Sequence, residues 1–522
     1  MKILIVVCTL AVVCAAAVPH KRLGVPLTAE DDCNPNIGAL NYSADPNHCQ
    51  IFYQCDHGWP KIKICPGDTV WTPTEERCLD PYDAENVICA YVRPERPIVI
   101  GADGEEIIQL YEACEFQCES GEDCIAYTGV CDGTPHCTDA SDELDCAAPC
   151  DENNCRLPNC RCTSADIPGG LTPNEVPQLV MLAWDEAVRL EDYNHLYQQI
   201  FKKVGAGRRQ REPRTNPDGC PLVGTFFTSH QFTDYAAVQS LYSEGNEFAT
   251  HSVSKRLPAA YWRDSTVRTW SEEILTNRLL LSTLGHVPVA DIVGMRAPYL
   301  QTAGDATIDM LAERGFVWDS SFATDVNDPP LWPYTFTYRS TAGCAVAPCP
   351  VRSHPDVWEI PLVDWIDTND TLCENVDSCY FPNDKAEALE LLRTNFARHY
   401  ETNRAPFPIN LRARWFLNDG HHNLEALQEF LDELAGLRDV YFVTYSQVVQ
   451  WMRAPRRASD MPGFFDCRQT EQRERLCERP NLCGYFNITY QPNDEEHPGE
   501  RYFQTCSDCP ETYPWVEPLE RL

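Results

Sequence analysis

The sequence predicts a multi-domain chain in which two small disulfide-rich modules precede a large α/β domain. Three observations predict it. At 522 residues the chain is too long for a single ordinary hydrophobic core. Two six-cysteine clusters, between Cys33 and Cys89 and between Cys114 and Cys146, occupy its first third. From 176 to 452, apolar strand-like runs alternate with amphipathic helical patterns, which argues for a parallel sheet or barrel.

The chain opens Met1-Lys2, continues through an apolar run from Ile3 to Val13, and reaches small residues ending Ala15-Ala16-Ala17-Val18. A basic start, a short apolar core and an Ala-x-Ala-like site read as a signal peptide over residues 1–17. The run is too short to span a bilayer, and no second apolar stretch approaches that length. Of 28 cysteines, Cys8 and Cys14 lie in this leader. The remainder is even, as complete pairing in an oxidising compartment requires. Sequons at Asn41, Asn369 and Asn487 agree with secretion into the extracellular space. A net charge of −36 excludes nucleic acid as a partner, because phosphate binding needs a basic surface. The same charge favours solubility and suits a cationic polymer.

The first cluster comprises Cys33, Cys49, Cys55, Cys65, Cys78 and Cys89. So short and aliphatic-poor a segment needs disulfide staples, though spacing alone leaves fifteen connectivities open. Tyr42, Phe52, Tyr53, Trp59 and Trp71 are interleaved with the cysteines. Such rings either stack on the flat C–H faces of sugars or build the miniature core. The segment resembles a peritrophin-type chitin-binding domain, through its six-cysteine spacing and Phe52-Tyr53-Gln54-Cys55. The resemblance implies a module over 29–92, pairings Cys33–Cys55, Cys49–Cys89 and Cys65–Cys78, and chitin as ligand.

The second cluster comprises Cys114, Cys118, Cys124, Cys131, Cys137 and Cys146, with Cys131-Asp132-Gly133 and Asp139-Ala-Ser141-Asp142-Glu143. Carboxylates on a stapled loop suit calcium. The segment resembles an LDL-receptor class A module over 112–147. That implies pairings Cys114–Cys124, Cys118–Cys137 and Cys131–Cys146, calcium ligands Asp132, Asp142 and Glu143, and a protein partner for the module. His136 stands where the family usually has a further Asp, which weakens the expected site. The Pro-rich joint from Arg93 to Pro97 links the modules, and Cys150, Cys155, Cys160 and Cys162 form a knot before the large domain.

In the large domain, strands are predicted at 179–184, 222–228, 247–251, 292–296, 316–319, 357–363, 409–415 and 440–444. Helices are predicted at 192–203, 266–283, 305–314, 385–400 and 423–434. In parallel barrels the chemistry sits at the C-terminal strand ends. Those ends carry Asp185 and Glu186, His251 and Ser252, Arg296-Ala-Pro-Tyr299, and Asp319-Ser-Ser321.

That conjunction, in that order, resembles the polysaccharide deacetylases, specifically the arthropod chitin deacetylases that carry the same two front modules. Gly224-Thr-Phe-Phe-Thr-Ser-His230, Pro330-Leu-Trp-Pro-Tyr334, Asn403-Arg-Ala-Pro406 and Tyr513-Pro-Trp515 support it along the chain. The resemblance implies a deformed (β/α) barrel over 165–455, with a cysteine-containing extension over 456–522. It implies hydrolysis of the N-acetyl amide of N-acetylglucosamine units. One Asp and two His hold a divalent metal, usually zinc; a second Asp is the base and a late His the acid.

The pattern departs from the family at the chemistry. Asp185 falls on the base and Glu186 on the carboxylate metal ligand, one methylene longer than the usual Asp. His251 falls on the first imidazole ligand, whereas Lys255 replaces the second. Arg296 keeps the third motif. Arg412 stands at the general-acid position, where its guanidinium cannot donate a proton near neutral pH. Zinc is therefore in doubt, and Lys255 is expected to fill the metal pocket and pair with Glu186 or Asp185. His421-His422 reads as a solvated loop rather than a replacement ligand. The sequence thus predicts a secreted protein that binds chitin or partly deacetylated chitin in an extracellular matrix, with deacetylation lost or impaired. An active, metal-dependent chitin deacetylase is the alternative.

Overall fold

The computed structural model describes residues 42–44, 51–56, 59–64, 70–72, 77–79, 98–100, 106–108, 116–121, 123–125, 129–131, 133–204, 211–416, 422–465, 467, 479–489 and 498–522. The chain divides into two compact units, Met1–Tyr111 and Glu112–Leu522. The expected signal peptide lies outside the described residues, as do Cys33, Cys49, Cys65, Cys89, Cys114, Asp132 and His421.

In the first unit, strands Tyr42–Ala44, Ile51–Asp56 and Trp59–Ile64 form an antiparallel sheet, and Val70–Thr72 pairs with Arg77–Leu79. Trp71 is only 4% exposed. Its ring stacks on Phe52 at 3.8 Å and tilts against Tyr42 at 5.3 Å. A module this small has little else to bury, so Trp71 serves the miniature core rather than an open sugar-binding face. Tyr42 and Phe52 are half-buried around it.

The second unit is built on a nine-stranded sheet. Its strands are β1 (Gln178–Glu186), β2 (Thr225–Thr228), β3 (Glu247–Thr250), β4 (Gly294–Met295), β5 (Trp318–Asp319), β6 (Tyr334–Thr335), β7 (Trp358–Glu359), β8 (Phe407–Leu411) and β9 (Val440–Phe442). Their order is β6-β7-β5-β4-β3-β2-β1-β8, and β9 pairs with the start of β1. Only β6–β7 is antiparallel. Among the described residues β6 and β8 do not pair, so the sheet forms an incomplete barrel.

β1 is buried from Gln178 through Trp184, the continuous apolar run of a strand covered on both faces. Helices α1 (Tyr235–Ser243), α2 (Val267–Thr283), α3 (Asp305–Glu313), α4 (Lys385–Tyr400), α5 (His422–Ala435) and α6 (Tyr445–Arg453) cover the sheet. Their starts follow capping chemistry. Asp234 accepts from the Ala237 amide, Asp384 from Ala386 and Glu387, and Thr444 forms a capping box with Gln447. Gly294 is required in β4, because a Cβ there would lie 1.9 Å from the Trp318 ring.

Three predicted elements come out differently. The 192–203 helix starts earlier, at Leu190, takes a π stretch over Tyr193–Tyr197, and stops at Ile200, because Lys202–Val204 pairs with Arg211–Pro213. The 357–363 strand divides into Trp358–Glu359 and Leu362–Val363 around Pro361, which has no amide for a ladder. The 409–415 strand ends at Leu411, and Ala413–Phe416 forms a 3-10 turn.

Disulfides Cys118–Cys137 and Cys131–Cys146 staple the module that begins the second unit. Cys150–Cys162 and Cys155–Cys160 form the knot that follows. Backbone bonds from Ala147 to Val351 and from Arg339 to Ala148 join that segment to the large domain. Cys220–Cys467 and Cys483–Cys509 tie down the C-terminal extension, whose hairpin is β10 (Asn481–Thr489) and β11 (Pro498–Thr505).

Candidate active-site cleft

The carboxyl ends of β1, β2, β3 and β8 open on a cleft of about 340 Å3, lined among others by Asp185, Glu186, Lys255, Phe232 and Arg414, with the end of β4 buried beside it. Parallel pairing brings these ends to one edge of the sheet, so residues far apart in sequence become neighbours.

Arg296 leaves the end of β4 fully buried. One Nη donates to Asp185 Oδ1 at 2.7 Å, the other to Tyr445 Oη at 3.0 Å and Ser320 Oγ at 3.1 Å. Its Nε donates to the Ser320 carbonyl at 2.8 Å, and the guanidinium lies 3.8 Å from the Phe227 ring centroid. Asp185 is thereby fixed in one orientation by a cation that is itself fully engaged.

His251 follows β3 and is buried. Its Nδ1 donates to the Arg296 carbonyl at 2.9 Å. Burial, then the nearby Lys255 ammonium, push the imidazole down to about 4, against the pull of Asp185. The ring is neutral at neutral pH with its Nε2 lone pair available, the arrangement of a ligating imidazole.

Glu186 ends β1 on left-handed backbone (φ 89°), with 47% of its side chain open to the cleft. Lys255 Nζ donates to Glu186 Oε1 at 2.8 Å. The Lys255 backbone is held by the Tyr299 hydroxyl on its carbonyl at 2.7 Å and by its own amide on Ser252 Oγ at 3.1 Å. Protein packed around the Glu186 carboxyl opposes its ionisation. The positive charges of Lys255 and Arg412 outweigh that and hold it at about 2. Lys255 is therefore turned onto Glu186, one of the two partners expected for it.

Arg412 follows β8 and donates from Nε to Asp377 Oδ1 at 3.0 Å; Arg414 binds the same carboxylate. Asp377 lies in the loop closed by Cys373–Cys379. It is a site residue that the sequence did not reveal, because nothing local pairs it with arginines some 35 positions away. Tyr445, at the start of α6, was missed for the same reason. His422 does not lie on a solvated loop: it begins α5, and its Nε2 meets the Pro382 carbonyl at 3.1 Å.

A three-ligand metal centre needs lone pairs converging on one point. At this cleft an ammonium, which has none to give, holds the carboxylate that would ligate. Among the described residues, no three His, Cys, Asp or Glu donors of the cleft close to within 4.8 Å of one another. The residues present fit an internal ion pair and do not fit the metal.

In the cysteine module, Asp142 is buried and accepts from the amides of His136 at 2.6 Å and Cys137 at 3.2 Å; Glu143 accepts from Gly133 at 3.0 Å. Both keep further oxygen lone pairs of the hard kind that calcium takes.

Residues 33–89 match the Chitin binding Peritrophin-A domain, and residues 112–146 the Low-density lipoprotein receptor domain class A. The chain is 34% identical over 379 residues to Chitin deacetylase 8 of Bombyx mori, covering 72% of this chain and 93% of that protein. It is also 34% identical over 504 residues to Chitin deacetylase 1 of the same organism, covering 91% and 88%. The chain belongs to the chitin deacetylase family. As a chitin deacetylase relative it joins a chitin-binding domain to the deacetylase-type α/β domain described above. Among solved structures, a Mycobacterium smegmatis protein described as a polysaccharide deacetylase matches at 23% identity and TM-score 0.33, covering 45% of this chain and 72% of that one. No helix among the described residues is long and apolar enough to cross a membrane.

Proposed function

We propose that this chitin deacetylase relative is a secreted, extracellular chitin-binding protein whose cleft no longer hydrolyses the N-acetyl amide. The observation that carries this reading is the Lys255–Glu186 ion pair at 2.8 Å. Metal-assisted hydrolysis needs an ion to polarise the carbonyl and a proton donor for the leaving amine. Glu186 is committed to an ammonium, and Arg412, at the acid position, is held by Asp377. In this reading Asp185 and Arg296 keep the shape of the cleft for an N-acetylglucosamine chain, and the peritrophin-type module anchors the protein on chitin. The domain limits are a leader at 1–17, a chitin-binding module at 29–92, an LDL-receptor class A module at 112–147, a deacetylase domain at 165–455 and an extension at 456–522. Asp132, Asp142 and Glu143 would hold calcium in the second module, whose exposed surface is available to a protein partner.

The alternative, a working deacetylase, draws support from the intact Arg296–Asp185 pair and the neutral His251 imidazole. One experiment separates the two. The secreted protein is mixed with colloidal chitin and added zinc, the chitin is sedimented, and acetate is measured in the supernatant. Protein in the pellet without acetate supports the binding reading; acetate that depends on zinc supports the enzyme.

A further inference from the structure

Phe232 presents an apolar ring at the wall of the cleft, 43% exposed, on backbone at φ 70°. Left-handed backbone is costly for a bulky residue and persists only where the surroundings dictate it. Here they do. On one side His230 is fully buried, with Nδ1 on the Tyr235 hydroxyl at 2.6 Å and Nε2 on the Pro514 carbonyl at 2.9 Å. On the other, Thr233 bonds the Ser229 carbonyl through Oγ1 at 2.6 Å. With its carboxamide oxygen turned inward, Gln231 accepts from Arg501 Nε at 3.2 Å and an Nη at 2.7 Å. Arg501 belongs to β11 of the C-terminal hairpin, is 1% exposed, and sets its guanidinium 5.0 Å from the Phe232 ring centroid. The extension therefore reaches back and braces the ring.

An exposed ring in a strained, braced position suits a ligand with an apolar face. The other cleft groups narrow its class. Arg189 pairs with Asp192 at 2.7 Å, Lys255 with Glu186 at 2.8 Å, and Arg414 with Asp377. With each cation already matched to a carboxylate, the cleft favours an uncharged ligand rich in hydroxyl and amide groups. A pyranose ring has both a flat C–H face and such an edge.

We propose that Phe232 is a sugar-stacking residue, on which one N-acetylglucosamine ring of a chitin chain lies at the mouth of the cleft, with Arg501 as the positioning residue behind it. This rests on the reading that the cleft binds chitin. A chitin pentasaccharide carrying a diazirine is photolysed with the full-length protein, and the labelled peptides are mapped by mass spectrometry. Wild type is expected to label both the front module and the cleft segments at 229–234 and 411–416. Phe232→Ala should cut cleft labelling about tenfold and leave front-module labelling unchanged, whereas Phe232→Trp should preserve both. The exposed position makes either variant compatible with folding, checked by circular dichroism. Cleft labelling unchanged in Phe232→Ala would overturn the stacking role alone. No cleft labelling in wild type would overturn the chitin-binding reading of the cleft and this inference with it.

Discussion

Lys255 Nζ lies 2.8 Å from Glu186 Oε1, joining the end of β1 to the turn after β3 through two residues that both sit on left-handed backbone, at φ 43° and 89°. Each main chain is bent to bring the charges together, and the Tyr299 hydroxyl holds the Lys255 carbonyl in place. The pair is thus built into the architecture of the cleft.

Reversing the substitutions should restore the ion. Glu186→Asp with Lys255→His replaces the ammonium by an imidazole and shortens the carboxylate, next to a His251 already oriented by the Arg296 carbonyl. The double variant is expected to bind one zinc by titration calorimetry. Adding Arg412→His should bring measurable acetate release. No zinc uptake by the double variant would show that more than these two side chains separates the cleft from a metal site.

Arg296 is fully buried, and Asp185 depends on it. Arg296→Met leaves that carboxylate uncompensated and should cost about 3–5 kcal/mol in chemical unfolding. Arg296→Met combined with Asp185→Asn should recover part of the loss. Equal losses in the single and double variants would mean the pair is not the source.

The sequence made much of this legible, for a physical reason. Parallel strands place their carboxyl ends together, so Asp185, Glu186, His251 and Arg296 could each be located from the end of an apolar run, whereas Lys255 was placed by the resemblance of the His251-to-Lys255 stretch to the deacetylases. β1 was readable from the unbroken apolar run 179–184, which the fold buries on both faces. Partners supplied by distant segments were not readable. Asp377 on Arg412, Tyr445 on Arg296 and Arg501 on Gln231 are meetings of tertiary structure, and no local pattern announces them. Trp71 shows the converse case: an aromatic in a sugar-binding module that burial claims for the core.

Asp364 predicts a pH dependence. It is 7% exposed, and among the described residues its Oδ1 has no hydrogen-bond partner. Burial first, then the charges of Glu374 and Asp325, push its carboxyl from 3.8 up to about 7. The folded value lies above the unfolded one. The stability this group contributes is therefore present below about pH 4 and lost as the pH rises through 7. Asp364→Asn should flatten the melting temperature across that window and stabilise the protein at pH 8 by up to about 4 kcal/mol. Parallel profiles for wild type and variant would contradict this.

Cys220–Cys467 closes a loop of 247 residues and fastens the start of the C-terminal extension to the segment before β2. Replacing both cysteines by serine should lower stability by about 2–5 kcal/mol, read from the denaturant midpoint. An unchanged midpoint would mean that the extension is held by its other contacts.

In the proposed reading the Lys255 ammonium, bonded to Glu186, takes the place of a metal ion. Zinc titration of the purified wild-type protein tests it most directly, with His251→Ala as the control for location. No zinc uptake that differs between the two proteins is expected. One equivalent bound by wild type and lost in His251→Ala would contradict it, because Lys255 would then have yielded Glu186 to a metal.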